Sequence, residues 1–332
     1  MFSKKFVIRL LLIALVCIIL FFINLLTGYE NISILDLFTS QNETKNLIIS
    51  YRLNKTLAVI FAGISLPVSG FLLQELFKNP LAEPSILGIS SASALAVAFS
   101  VFLGGTQLII SFQWLTGWLL ILSALLGAWF VSVFLIFLSQ RIKEVSTFII
   151  IGFLISSFCG SLISILQIYS QSETLKQYTF WSFGSFEGLS GIQIWVYSIC
   201  VISGLFPAFL AVKELIGFLL GNEYAKVLGV NMHRLKVWVV LAVCLLTGST
   251  TAMLGPIVFI GIIIPHFCRQ IWNPSALWAQ ILLNIFSGIG FMLLISLIMI
   301  YTLLPVNILS SLIGIPTILF MILKTRFKNS MY

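Results

Sequence analysis

Few residues of this 332-residue chain could do covalent chemistry, and their spacing argues that none does. The two histidines, His233 and His266, stand far apart, and no HExxH run places a pair on one helical face to hold zinc. The cysteines Cys17, Cys159, Cys200, Cys244 and Cys268 fall within or at the end of apolar runs and form no CxxC pair, so packing is their expected role. No GxxxxGK(S/T) run is present to cradle a nucleotide's phosphates. Glu75 comes at the inner end of an apolar run and Asp36 lies outside any, so no carboxylate is expected deep in a span. A carrier driven by an ion gradient usually keeps such a titratable group inside the membrane, and its absence weighs against an autonomous pump. The expectation is a chain with no catalytic residue, no metal ligand and no cofactor of its own.

Three groupings remain that could bind or transmit. GNEYAKVLGVNMHRLK, residues 221–236, gathers five ionisable groups, counting His233, in a chain that is 60% hydrophobic and 8% charged. Arg52 and Lys55 stand together at the outer start of an apolar run. Gly152, Ser156, Gly160 and Ser164 recur every four residues on one helical face, a pattern that serves either ordinary helix packing or the lining of a pathway.

The elements that must position these groups are membrane spans. With 29 Phe and a mean hydropathy of +1.13, a soluble globule of this composition would expose apolar surface it could not cover. Apolar runs separated by polar or Gly/Pro punctuation predict an all-α integral membrane protein of about ten spans: 6–27, 53–76, 85–103, 108–138, 145–170, 192–213, 237–254, 256–272, 276–300 and 305–323. The seventh and eighth share few residues and are broken at Gly255-Pro256, so one of them is expected to be short or partly re-entrant. The basic N-terminus leads into an apolar run too long for a signal peptide, with no A-x-A site after it, and reads as an uncleaved first span. With both termini cytoplasmic, fourteen Lys or Arg fall inside and only Lys45, Arg52, Lys55 and Lys176 fall outside, a strong positive-inside bias. That bias accounts for the net charge of +8 without nucleic acid. It also puts residues 221–236 in the cytoplasm. Two outer loops are long, 28–52 and the aromatic 171–191, where Tyr178, Phe180, Trp181, Phe183 and Phe186 read either as an interfacial belt or as an outer gate or docking surface.

Four stretches in order resemble one family, the FecCD-type (type II) permeases of ATP-driven importers for iron-siderophore, haem and vitamin B12. They are YRLNKTLAVIFAGISLPVSGFLLQELFKNPLAEPSILGIS (51–90), GNEYAKVLGV (221–230), GPIVFIGIIIPHFCR (255–269) and, more loosely, LPVNILSSLIGIP (304–316). The resemblance implies a single permease domain over 1–332 in a bacterial cytoplasmic membrane. It also implies a second permease chain, two ABC ATPase subunits that carry ATP and Mg, and an extracytoplasmic substrate-binding protein. Residues 214–236 would then be the coupling segment, with Asn222, Glu223, Tyr224, Ala225, Leu228, Gly229 and Val230 meeting the ATPase. Arg52 and Lys55 would receive acidic side chains of the binding protein. Lys55 stands where Arg is usual and offers a point charge in place of a planar fork.

The chain also departs from the family. Residues 290–303 carry no charge where the family often has an Asp and an Arg, and Asn307 stands where Gly is usual. A lost docking contact supplied by a different permease chain is one expectation from this. His266 and Arg269 are expected at the inner interface, with Arg269 reaching headgroups or a neighbouring carboxylate. The resemblance implies transport of an iron chelate, a ferric siderophore first, then haem, then cobalamin, by tilting of the fifth and tenth spans. The alternative is an ion-gradient-driven secondary transporter.

Overall fold

The computed structural model describes residues 4–329 apart from 29, 31, 37–41, 112, 140, 143–144, 220, 222–224, 226, 228, 273 and 275. Among the described residues the chain is helical: α1 (Lys4–Leu26), α2 (Glu43–Phe77), α3 (Ile89–Ser111), α4 (Gln113–Ser139), α5 (Val145–Ile168), α6 (Ser172–Ser182), α7 (Gly191–Leu219), α8 (Met232–Val243), α9 (Ser249–Leu254), α10 (Ile260–Trp272), α11 (Leu277–Thr302) and α12 (Val306–Asn329). A 3-10 turn, Pro84–Leu87, precedes α3, and a π turn, Cys244–Gly248, joins α8 to α9.

Among the described residues, seven helical stretches are long and apolar enough to cross a membrane: α1, α2, α4, α5, α7, the continuous Met232–Leu254 and α11. Shorter apolar helices run over Ile89–Leu103 and Val306–Phe320. At 13 residues, α10 rises roughly 20 Å, short of the about 30 Å of hydrocarbon in a bilayer. The ten expected spans therefore have counterparts, and the short one is the eighth. The seventh begins at Met232, five residues before the expected 237, because Asn231 caps it by accepting the backbone N–H groups of His233 and Arg234 at 3.0 and 3.1 Å.

Helix α2 is the strut around which the others pack. Its 35 residues extend roughly 52 Å, and Asn42 caps its start by accepting the Thr44 N–H at 3.0 Å. Where lipid is as apolar as leucine, helices associate through close backbone approach, which small residues permit. A Cβ added to Gly63 would lie 2.7 Å from the Ile289 Cα of α11. One added to Gly70 would run into the Gly261 backbone of α10.

Proline interrupts α10 at Pro265, which has no N–H to offer the Gly261 carbonyl one turn earlier. The Gln74 side chain of α2 supplies the missing donor, with Nε2 2.9 Å from that oxygen. The Arg269 guanidinium donates in turn to the Gln74 side-chain oxygen and, at 3.1 Å, to Glu75. The neighbouring carboxylate anticipated for Arg269 is thus Glu75.

The aromatic residues of 171–191 divide between buried, half-buried and exposed positions. Tyr178 and Phe186 are buried, whereas Phe180 is exposed. The segment turns inward after α6, so that the Ser185 N–H meets the Leu254 carbonyl at 2.8 Å and the Asn307 N–H meets the Phe183 carbonyl at 3.1 Å. The turn therefore covers the break between α9 and α10 and touches the start of α12.

Candidate functional site

In the segment expected to be cytoplasmic, the described residues include two glycines with positive φ, Gly221 (φ 106°) and Gly229 (φ 74°). The Val230 N–H reaches back to the Ala225 carbonyl at 2.9 Å, as in a helix ended by a left-handed glycine. Asn222, Glu223, Tyr224 and Leu228 lie outside the described residues. Ala225, expected by its small size to permit close approach of the ATPase, is buried at 2% exposure and packs within this chain. The exposed apolar knob is Val227, at 86%. Gly229 has open space around it. Beside it a cavity of about 450 Å³ is lined by Leu210, Lys213, Glu214, Gly229, Val230, Arg234 and Trp238. The whole turn stands on α8, where the buried Lys236 ammonium donates to the Ile142 carbonyl at 2.6 Å.

On the outer face the two anticipated docking cations have different surroundings. Arg52 is only 7% exposed. Its Nη1 donates to the Leu25 and Leu26 carbonyls at 3.1 and 2.9 Å, and its Nη2 to the Glu30 carbonyl at 2.7 Å. The Leu25 and Leu26 carbonyls belong to the last turn of α1, where the helix dipole also favours a cation. Arg52 therefore ties α1 to α2 in place of facing outward. Lys55 pairs with Glu187 of the inward turn at 2.9 Å, its side chain 13% exposed against 51% for Glu187. Burial raises the Glu187 pKa, but the Lys55 hydrogen bond and charge, with a Tyr51 hydrogen bond, outweigh it and hold the carboxyl below its usual range. Nearby, Lys45 and Asp36 pair at 2.8 Å, and the Lys45 hydrogen bond, helped by the Ser33 N–H and hydroxyl, lowers Asp36 to about 2.

The stripe on α5 divides in two. Gly152 is buried, with the Leu87 Cα 2.8 Å from where its Cβ would be, and the Ser156 hydroxyl donates to the Ser85 carbonyl at 3.2 Å. That inner half packs on the turn before α3. Gly160 and Ser164 are exposed, and the Ser164 hydroxyl donates to its own helix at the Gly160 carbonyl, 3.0 Å away.

Two acidic residues escaped the sequence reading. Glu187 was legible only as one of several polar residues in an outer loop. Glu83, in NPLAEP, is 8% exposed and accepts the Phe259 N–H at the start of α10 and the Ser85 hydroxyl at 3.3 Å. An acid directly before a proline that starts a helical turn is the one signal that marked it.

A family model, the FecCD transport family, matches residues 15–324. The hemin transport system permease protein HmuU of Yersinia pestis is 30% identical over 301 residues, 88% of this chain and 88% of that protein. The vitamin B12 import system permease protein BtuC of Yersinia enterocolitica serotype O:8 is 32% identical over 300 residues, 87% of this chain and 84% of that protein. A solved structure described as an inward-facing, metal-chelate type ABC transporter matches with a TM-score of 0.82 at 26% identity, over 95% of this chain and 99% of that one. The structure of PsaBC from Streptococcus pneumoniae in complex with Fab matches at TM-score 0.53 and 16% identity, a likeness of fold alone.

Proposed function

We propose that this chain, which belongs to the FecCD transport family, carries a bulky metal chelate across the cytoplasmic membrane, with a ferric siderophore as first candidate and haem and cobalamin as its rivals. Relatives named for hemin and vitamin B12 transport support a large chelate and do not choose among the three. The chain is read as a permease subunit that makes and breaks no covalent bond. Its partners are a second permease chain, two ABC ATPase subunits holding ATP and Mg, and an extracytoplasmic binding protein.

One observation carries the reading: the outer half of the α5 stripe, Gly160 and Ser164, is exposed on the surface of a single chain. A span that presents small and hydroxyl-bearing residues outward suits a passage shared with a second permease chain better than contact with lipid alone. The cavity of about 610 Å³ between α3, α4 and α5 is lined by apolar side chains with Gly127 and Cys159 and has no charged group to orient a chelate. A pathway between subunits is therefore favoured over a site within one.

In the working cycle the loaded binding protein docks at the outer rim, where Lys55 offers the cation and Arg52 fixes the base beneath it. ATP-driven closure of the ATPases moves residues 214–236 through the exposed Val227 and Gly229, with Asn222, Glu223, Tyr224, Leu228 and Val230 completing the contact. Helices α5 and α12 then tilt to switch access. Proteoliposomes holding this chain with its ATPase and binding protein should accumulate radiolabelled ferric siderophore only when ATP is supplied, with haem and cobalamin as competitors. Uptake by the permease alone, abolished by an ionophore, would establish the secondary-carrier alternative.

A further inference from the structure

We propose that the Glu83 carboxylate is a mechanical joint that makes α5 and α12 move together. The proposal rests on the reading of those two helices as the ones that switch access. The turn from 79 to 88, between α2 and α3, touches α5 on one side. There the Ser85 carbonyl accepts the Ser156 hydroxyl at 3.2 Å, and Gly88 faces Ile155, whose Cγ2 lies 2.8 Å from where a Cβ would be. On the other side of the same turn Glu83 holds Phe259 by its backbone N–H. Phe259 has φ of 70°, a left-handed conformation that a non-glycine residue adopts only when its surroundings impose it. Its side chain presses on α12, where a Cβ added to Gly314 would come 2.6 Å from the Phe259 Cβ. The chain of contact therefore runs from α5 through Ser85 and Glu83 to Phe259 and on to α12.

A carboxylate suits this joint. The first N–H groups of α10 have no partner within their own helix, and the positive end of the helix dipole attracts an anion. Ser85, two residues along from Glu83, donates to the second carboxylate oxygen at 3.3 Å, so the side chain is held from both directions. A neutral amide keeps the acceptor oxygen but loses the charge. Alanine loses both.

The test compares wild type with Glu83→Ala, Glu83→Gln and Phe259→Gly in the full transporter, reconstituted with its ATPase and binding protein. Phe259→Gly breaks the joint from the far side while easing the left-handed backbone, and a melting midpoint measured for each variant separates loss of the joint from loss of packing. Two quantities are read: chelate taken up per ATP hydrolysed, and hydrogen exchange of α5 and α12 with and without trapped ATP. In wild type ATP should alter exchange in both helices. In Glu83→Ala and Phe259→Gly it should alter exchange in only one of them, with uptake per ATP lower by at least about tenfold. Glu83→Gln should fall within about threefold of wild type, since charge-assisted bonds are only about twice as strong as neutral ones. Joint exchange changes with normal uptake per ATP in either Glu83→Ala or Phe259→Gly would overturn the joint. If neither helix responds to ATP in wild type, the access-switching role of α5 and α12 fails, and with it the premise of the joint.

Discussion

Replacing Arg52 by alanine separates the two roles that a basic residue at this position can have. The substitution removes three hydrogen bonds to the carbonyls of Leu25, Leu26 and Glu30. Bonds to a charged group contribute about 1.5–3 kcal/mol each when buried. Water at the outer end of α1 can recover part of that for the exposed carbonyls, so a net loss of about 2–4 kcal/mol follows. At about 2–4 °C per kcal/mol for a chain of a few hundred residues, the midpoint of thermal unfolding should fall by roughly 5–15 °C. Arg52→Lys, able to reach fewer of the three acceptors, should lose about half as much. The assay is a melting curve of the purified permease, paired with binding-protein affinity measured well below both midpoints. Affinity of the folded protein should stay close to wild type. An unchanged midpoint with affinity weakened about tenfold would refute the tie to α1 and restore Arg52 as a docking cation.

Further outcomes follow from the same geometry. Lys55→Glu in a Glu187→Gln background, which removes the like-charge clash within the chain, should weaken binding-protein docking by about tenfold or more, because like charges then meet across a desolvated rim; unchanged affinity removes Lys55 from the docking surface. The Glu187 pKa is depressed in the folded protein, so the Lys55–Glu187 link is fully present above the ordinary carboxylate range and is lost as pH falls through the lowered value. Exchange in residues 183–190, corrected for its intrinsic rate, should therefore rise in wild type only as pH falls below the ordinary carboxylate range and show no such step in Glu187→Gln. Val227→Asp places a charge on an 86% exposed apolar knob and should leave the fold intact while cutting ATP-coupled uptake by about tenfold; normal uptake would make the turn a plain connector. Gly70→Leu cannot fit against the Gly261 backbone and should destabilise the α2–α10 contact by about 3 kcal/mol or more, read as loss of folded protein on extraction.

The spans were legible because each is an apolar run with polar or Gly/Pro punctuation at its ends, and the break at Gly255-Pro256 announced the short α10. The inner location expected for 221–236 rests on where lysine and arginine collect. Side-chain direction was not legible in the same way. A basic residue at the outer end of α2 reads as exposed, and only the position of α1, far off in sequence, makes Arg52 a clamp. The aromatic residues of 171–191 have the composition of an interfacial belt, and the inward turn is created by partners at Leu254 and Asn307. A four-residue period put Gly152, Ser156, Gly160 and Ser164 on one face without saying where along it the packing stops. Ala225 is small for the sake of its own chain. Glu83 looked like any polar turn residue because its partner, the N–H of Phe259, is a backbone group that no side-chain pattern reports.

The Gln74 bond to the carbonyl left bare by Pro265 bears on how the protein is made. Helix α10 is too brief to enter a bilayer by itself, and its backbone is incomplete without an amide lent by another helix. That lender is translated nearly two hundred residues earlier, so it is synthesised before the borrower leaves the ribosome. The order of the genetic text thus suits the order of assembly, and a circular permutant that delayed α2 until after α10 would leave the half-length helix without its sponsor at the moment of insertion.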